Sequence, residues 1–95
     1  MEKNSHYFYV VECKDGSFYA GYTIDIEKRL HAHNEGKGAK YTRARKPVLL
    51  LIAKEYSTKR EAMQMEYQFK QLTRVQKEKF ILKERENKYA AAKKL

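Results

Sequence analysis

Two short runs of aromatic and β-branched residues, 7–13 (YFYVVEC) and 18–23 (FYAGYT), flank the dipeptide Asp15-Gly16. An Asp-Gly pair between runs of that kind predicts a β-hairpin. Turn chemistry permits two registers. A two-residue turn pairs Lys14 with Ser17 and puts Tyr9 and Tyr19 on opposite faces, because side chains alternate along a strand. A three-residue loop, Lys14-Asp15-Gly16 with Gly16 left-handed, pairs Cys13 with Ser17 and brings Tyr9, Tyr19 and Gly21 onto one face.

After the hairpin the period changes from two to 3.6. Thr23 or Asp25 can cap a helix over residues 26–34 whose stripe is Ile26, Arg29, Leu30 and His33. Two apolar positions alternate with two ionisable ones, so Arg29 and His33 either keep their polar ends in water at the edge of the stripe or line a site on the hairpin side. A continuous apolar run, 48–53, suits a buried central or well-covered third strand. Thr58 with Glu61 forms a capping box that opens a helix striped by Ala62, Met65, Glu66, Phe69 and Leu72. Glu66 breaks that stripe. An acid between Met65 and Phe69 needs a cation, a donor or a metal to offset its desolvation, and its partner is either a structural Arg or Lys or something functional. Thr73 with Gln76 repeats the capping pattern before Val75, Phe80, Ile81 and Leu82, a short last helix.

These elements divide the chain into a polar lead-in (1–6), one domain (7–82) and a charged, Ala-rich tail (83–95) expected to be a frayed helix or disordered. Ninety-five residues hold one modest core. No apolar run reaches the roughly 20 residues of a membrane-spanning helix, and the N-terminus lacks the character of a signal peptide, so the expected location is the cytoplasm. The single cysteine, Cys13, cannot form an internal disulfide and falls on an apolar position, which predicts a buried thiol.

Charge adds a partner. The formal net charge is +9 and the pI about 9.7, the electrostatic footprint of a polyanion binder. Residues 36–46 concentrate it: Lys37, Lys40, Arg43, Arg45 and Lys46 follow one another without an acid, interleaved with Gly36, Gly38 and Tyr41. Such a loop is either solvated or in contact with phosphates. Its spacing excludes a Walker-type loop, and no zinc-ligand cluster or Ser/His/Asp arrangement is present.

Tyr7-Phe8-Tyr9, Tyr19-Ala20-Gly21, Arg29 and His33 with three residues between, the loop HNEGKGAKYTR (33–43) and a lone Glu66 on a later helix together resemble the GIY-YIG nuclease domain, in particular its small stand-alone bacterial members of the UPF0213 kind. The resemblance covers residues 6–82. Tyr7 and Phe8 stand in place of the name-giving Gly and Ile, and Ala20 in place of the second Ile; Tyr9, Tyr19 and Gly21 are kept. The family requires the register that puts Tyr9 with Tyr19. It implies an α+β fold, a three-stranded antiparallel sheet (7–13, 17–23, 48–56) flanked by three helices (26–34, 59–72, 74–82).

It also implies an endonuclease that cleaves a phosphodiester of DNA, structured or single-stranded, with one Mg²⁺ or Mn²⁺ ion on Glu66. The implied catalytic set is Tyr9, Tyr19, Arg29, His33 and Glu66. Arg29 would neutralise the scissile phosphate, a tyrosine would take the proton of the attacking water, and His33 would orient that tyrosine or share the proton. Gly21, Lys37, Lys40, Tyr41, Thr42, Arg43 and Arg45 are expected to contact the nucleic acid. RNA as substrate stays open, a monomer is assumed, and no role is assigned to Asn87. The competing expectation is a nucleic-acid-binding module with weak or partner-dependent cleavage.

Overall fold

In the computed structural model, which describes residues 5–93, the hairpin takes the three-residue loop. β1 (His6–Glu12) and β2 (Phe18–Thr23) pair antiparallel with Glu12 opposite Phe18, Val11 opposite Tyr19 and Tyr9 opposite Gly21. The Cys13 amide donates to Ser17 O, the Gly16 amide donates to Cys13 O, and Gly16 adopts φ +86. That left-handed residue sets the register, which carries Tyr9, Tyr19 and Gly21 to one face.

Helix α1 (Ile26–Asn34) starts where Asp25 accepts the Lys28 amide and ends at left-handed Gly36, with the Lys37 amide reaching back to Ala32 O. The basic segment that follows, expected as a loop, contains one helical turn, α2 (Lys40–Arg43), before β3 (Leu49–Tyr56), so among the described residues the sheet is accompanied by four helices and not the expected three. Asn34 clamps that entry: its Oδ1 accepts the Val48 amide at 2.7 Å while its Nδ2 donates to Val48 O. Both expected capping residues operate. Thr58 accepts the Glu61 amide at the head of α3 (Lys59–Lys70), and Thr73 with Gln76 forms a reciprocal box at the head of α4 (Arg74–Lys93).

The sheet order is β2-β1-β3, which corrects one expectation. The apolar run 48–53 lies on an edge strand whose Leu49 is 67% exposed, while the central strand is β1, where Phe8, Tyr9, Val10 and Val11 are buried. A run of leucines reports total apolarity; which strand has neighbours on both sides is settled by pairing. The register slips by one residue between Val10 and Val11, so that Leu51 and Ile52 both join the core on the α3–α4 face. That face packs Phe8, Val10, Ala20 and Ile52 against Phe69 and Ile81. The opposite face packs Tyr9, Val11, Cys13 and Val48 against Ile26 and Leu30 of α1. The last helix does not stop near Leu82. It runs on to Lys93, anchored by Lys54–Glu84 at 3.2 Å and by Arg85 donating to Leu51 O. Of the polar lead-in, residues 1–4 lie outside the described residues, as do the last two of the tail. No described helix is long and apolar enough to cross a membrane.

Candidate active site

The centre of the α1 face is polar although it is buried. β1 delivers Tyr9, α1 delivers Arg29 and His33 one turn apart, and α2 delivers Thr42; His33 and Thr42 are wholly inaccessible to solvent. Three hydrogen bonds join them and a fourth anchors the end of the chain to Ala39. Arg29 Nε donates to the Tyr9 hydroxyl at 3.2 Å, Tyr9 Oη lies 2.8 Å from His33 Nε2, His33 Nδ1 lies 2.8 Å from Thr42 Oγ1, and Thr42 Oγ1 donates to Ala39 O at 3.0 Å.

These bonds have a direction. The Thr42 hydroxyl spends its proton on Ala39 O, so toward His33 it accepts, and Nδ1 carries the ring proton. Nε2 then presents a lone pair to Tyr9, whose O–H donates while its oxygen accepts from Arg29. The tautomer of His33 is therefore assigned by the network.

Two glycines make room for it. A Cβ on Gly21, directly across the strand pair from Tyr9, would lie 2.5 Å from the Tyr9 hydroxyl, and a Cβ on Gly38 would overlap His33 Nδ1. The resemblance has Gly21 admitting a phosphate; the space beside it is taken by the Tyr9 ring.

Electrostatics follow the burial. Burial, reinforced by the Arg29 cation, lowers the His33 pKa from 6.5 to about 4, so the ring is neutral near pH 7. Burial also raises the Tyr9 phenol, opposed by its bond from Arg29, while the charge of Glu66 adds to the rise. Tyr9 is thus a phenol at neutral pH, with an acceptor on one side and a cation on the other.

A consequence for stability can be measured. The unfolded chain protonates His33 near 6.5 and the folded chain only near 4, so the contribution of the neutral ring is complete above pH 6.5 and is lost as pH falls to about 4. Over that window folding should weaken by roughly 3 kcal/mol through this group. Thermal melts of wild type and His33→Gln across the window should show a steeper decline in the wild type, and parallel profiles would contradict a neutral buried imidazole.

The other expected residues divide. Tyr19 joins the cluster by its ring, 5.4 Å from His33 edge to face, and stacks on Tyr41 at 6.0 Å. Glu66 makes no hydrogen bond to Tyr9, Arg29 or His33. Its side chain is 19% exposed and pairs at 2.7 Å with Lys70 one turn on, so the cation that the sequence demanded lies on the same helix.

In the basic segment Lys37, Lys40 and Arg43 are exposed. Arg45 is committed: its guanidinium lies 4.0 Å over the Tyr41 ring, Nε contacts Asp15 at 3.1 Å and Nη1 donates to Tyr41 O. Thr42, expected on the nucleic-acid side, has no surface to offer one, because folding turns its hydroxyl inward to His33. Sequence reasoning missed this role and that of Gly38. The only available signal was the unbroken GKGAKYT string, which does not name its long-range partner.

The GIY-YIG catalytic domain family model matches residues 5–90. The chain is 64% identical over 90 residues to a UPF0213 protein of Bacillus velezensis, covering 95% of this chain and 91% of that one. It is 61% identical, with the same coverage, to the UPF0213 protein YazA of Bacillus subtilis. Among solved structures, the solution structure of UPF0213 protein BH0048 from Bacillus halodurans is 49% identical with a TM-score of 0.55, covering 81% of this chain and 82% of that one. The solution structure of protein EF2693 from E. faecalis is 51% identical with a TM-score of 0.59, covering 86% and 88%.

Proposed function

The chain belongs to the GIY-YIG catalytic domain family, and from that premise we propose that it is a divalent-metal-dependent endonuclease that hydrolyses phosphodiester bonds in DNA. The observation that carries this reading is the directed chain Arg29, Tyr9, His33, Thr42, which a protein that only binds nucleic acid does not need.

The Arg29 end of the chain faces the chemistry and the His33 end orients it. His33 holds the Tyr9 hydroxyl through its Nε2 lone pair, but with a pKa of about 4 it does not store the phenolic proton; Tyr9 Oη takes the proton of an attacking water only as its phenolate, which Arg29 and a bound cation would have to stabilise. Arg29 stabilises the phenolate as it forms and, with its remaining N–H groups, the extra charge on the phosphorus centre. Thr42 keeps Nδ1 protonated throughout, so the lone pair stays aimed at Tyr9. Tyr19 stands beside the same ring and completes the wall of the site.

The donor set fits a hard cation held sparingly. Among the described residues no group of three or more His, Cys, Asp or Glu could cage a metal; Glu66, 19% exposed and paired with Lys70, is a single carboxylate of the kind that suits Mg²⁺ or Mn²⁺, which keeps waters and takes phosphate oxygens, and a bound ion would share it with or displace Lys70. When bound at Glu66, the ion would polarise the scissile phosphate and stabilise the leaving oxygen.

The test incubates the purified chain with labelled single-stranded, duplex and branched DNA in Mg²⁺, in Mn²⁺ and in EDTA. Metal-dependent cleavage of at least one substrate is the expected result; metal-independent binding with no cleavage of any would identify a binding module instead. In the same preparation, replacing Lys37, Lys40 and Arg43 together by Ala should lower the salt slope of duplex binding by about 0.9 for each phosphate that is no longer neutralised. An unchanged slope would mean that the segment does not meet the backbone.

A further inference from the structure

Among the described residues β2 is an edge strand, with β1 on one side and no strand on the other. Hydrogen-bonded pairs alternate along an antiparallel ladder. Because Cys13 and Ser17 form one such pair, Val11 and Tyr19 form the next, and Phe18 and Ala20 turn their N–H and C=O groups away from the sheet.

Beside that outer edge lies a cavity of about 160 Å³, lined by Phe18, Tyr19 and Ala20 of β2 with Tyr41, Phe69, Lys70 and Lys77. Its floor is the buried Phe69, its walls are aromatic, and its rim carries two cations. Tyr41 is 38% exposed and is fixed in place by Arg45 above its ring and by Tyr19 stacked on it. Phe18 is fixed likewise by Arg74, whose guanidinium lies 3.8 Å over the ring while Nη1 donates to Gly16 O.

We propose that this cavity is a nucleobase subsite, which takes one unpaired base of the substrate strand against Tyr41 and the apolar floor while Lys70 and Lys77 meet its flanking phosphates. Flat apolar walls, outward backbone donors and acceptors at Phe18 and Ala20 and a cationic rim together match a base and its phosphates. A strand of another protein could use the backbone edge, but it has no need of two lysines and an aromatic wall on a chain of net charge +9.

The position ties the subsite to the candidate active site. Tyr19 both lines the cavity and packs on His33, and Lys70 both lines the cavity and pairs with Glu66. A base seated here is separated from the His33 cluster by one shared side chain, Tyr19. A base inside a duplex enters only if it is flipped out, at the cost of its stacking and pairing, so the subsite favours a substrate that already presents an unpaired nucleotide. This assignment of substrate class rests on the nuclease reading; the binding it predicts does not.

The experiment measures binding of fluorescein-labelled oligodeoxynucleotides in EDTA by anisotropy, comparing an intact single strand, the same strand with an abasic site moved through each position, and its blunt duplex. The single strand should bind more tightly than the duplex at matched salt, and an abasic site at the seated position should weaken binding roughly 5- to 100-fold. Tyr41→Ala should produce the same loss and abolish the abasic effect, whereas Tyr41→Phe, which keeps the ring, should retain both. Lys77→Gln should lower the single-strand salt slope by about 0.7.

Affinity indifferent to every abasic site, or a duplex bound as tightly as the single strand, would overturn the subsite. An oligoribonucleotide arm separates the sources. Base dependence in the ribo strand alone assigns the subsite to RNA, dependence in both assigns it to the base irrespective of sugar, and dependence in neither overturns it. Base-dependent binding with no cleavage in Mg²⁺ would leave the subsite standing and sink the nuclease, and cleavage without base dependence would do the reverse.

Discussion

Glu66→Gln is expected to abolish metal-dependent cleavage, by roughly 10³-fold or more, with almost no change in melting temperature. A carboxylate that holds the ion supports several kcal/mol of transition-state stabilisation, and about 4 kcal/mol of barrier corresponds to that factor. The amide has the same shape and no charge. The competing role for Glu66 is the ion pair with Lys70, and its geometry bounds what it can contribute. The pair is an i,i+4 contact on one face of α3, with Lys70 49% exposed, so its loss should cost only about 0.3–0.5 kcal/mol, or a few degrees at most. The two roles therefore separate on different readouts. DNA affinity in EDTA should hold or rise in Glu66→Gln, since a carboxylate near the phosphate has been removed. A variant that melts like the wild type and still cuts at the normal rate in Mg²⁺ would show that Glu66 is not the metal ligand.

Gly38→Ala is expected to do the most damage to stability for a change of one methyl group. The added carbon would overlap His33 Nδ1 and approach Cε1 and Cγ at 2.9 Å, and the ring has nowhere to go: it is fully buried and bonded through both nitrogens. Overpacking of this kind costs about 1–3 kcal/mol, and a buried donor or acceptor left unpaired a further 1–3. For a domain of this size the melting temperature should fall by roughly 10–20 °C. Gly16→Ala is the control. At φ +86 it carries backbone strain of about 1–2 kcal/mol, but among the described residues nothing lies within 4 Å of the added carbon. If the two variants melted alike, His33 would not be held as tightly as its bonds indicate.

Much of the fold is local chemistry, and local chemistry is legible. The Asp-Gly turn with its left-handed glycine, the period-2 strands around it, and the caps at Asp25, Thr58 and Thr73 each act within a few residues of themselves, and each appears where the pattern placed it. Arg29 and His33 could be put on one stripe with Leu30 for the same reason, since helical period decides which side chains are neighbours.

The sequence alone determined the three strands, three of the four helices, the turn glycine and the residues competent for chemistry. Only tertiary structure decided how they meet. Whether 48–53 was central or edge depended on which strands found partners on both sides, and total apolarity does not encode that. The last helix outlasted its apolar stripe because Glu84 and Arg85 found Lys54 and the Leu51 carbonyl, 30 and 34 residues away along the chain. Thr42 reads in the sequence as a nucleic-acid contact of the basic loop. Its burial, its grip on His33 and hence the direction of every proton from Arg29 to Ala39 arise from bonds between separate elements that no local pattern announces. The same holds for the cavity beside β2, whose walls come from β2, α2, α3 and α4 and exist only once all four have packed.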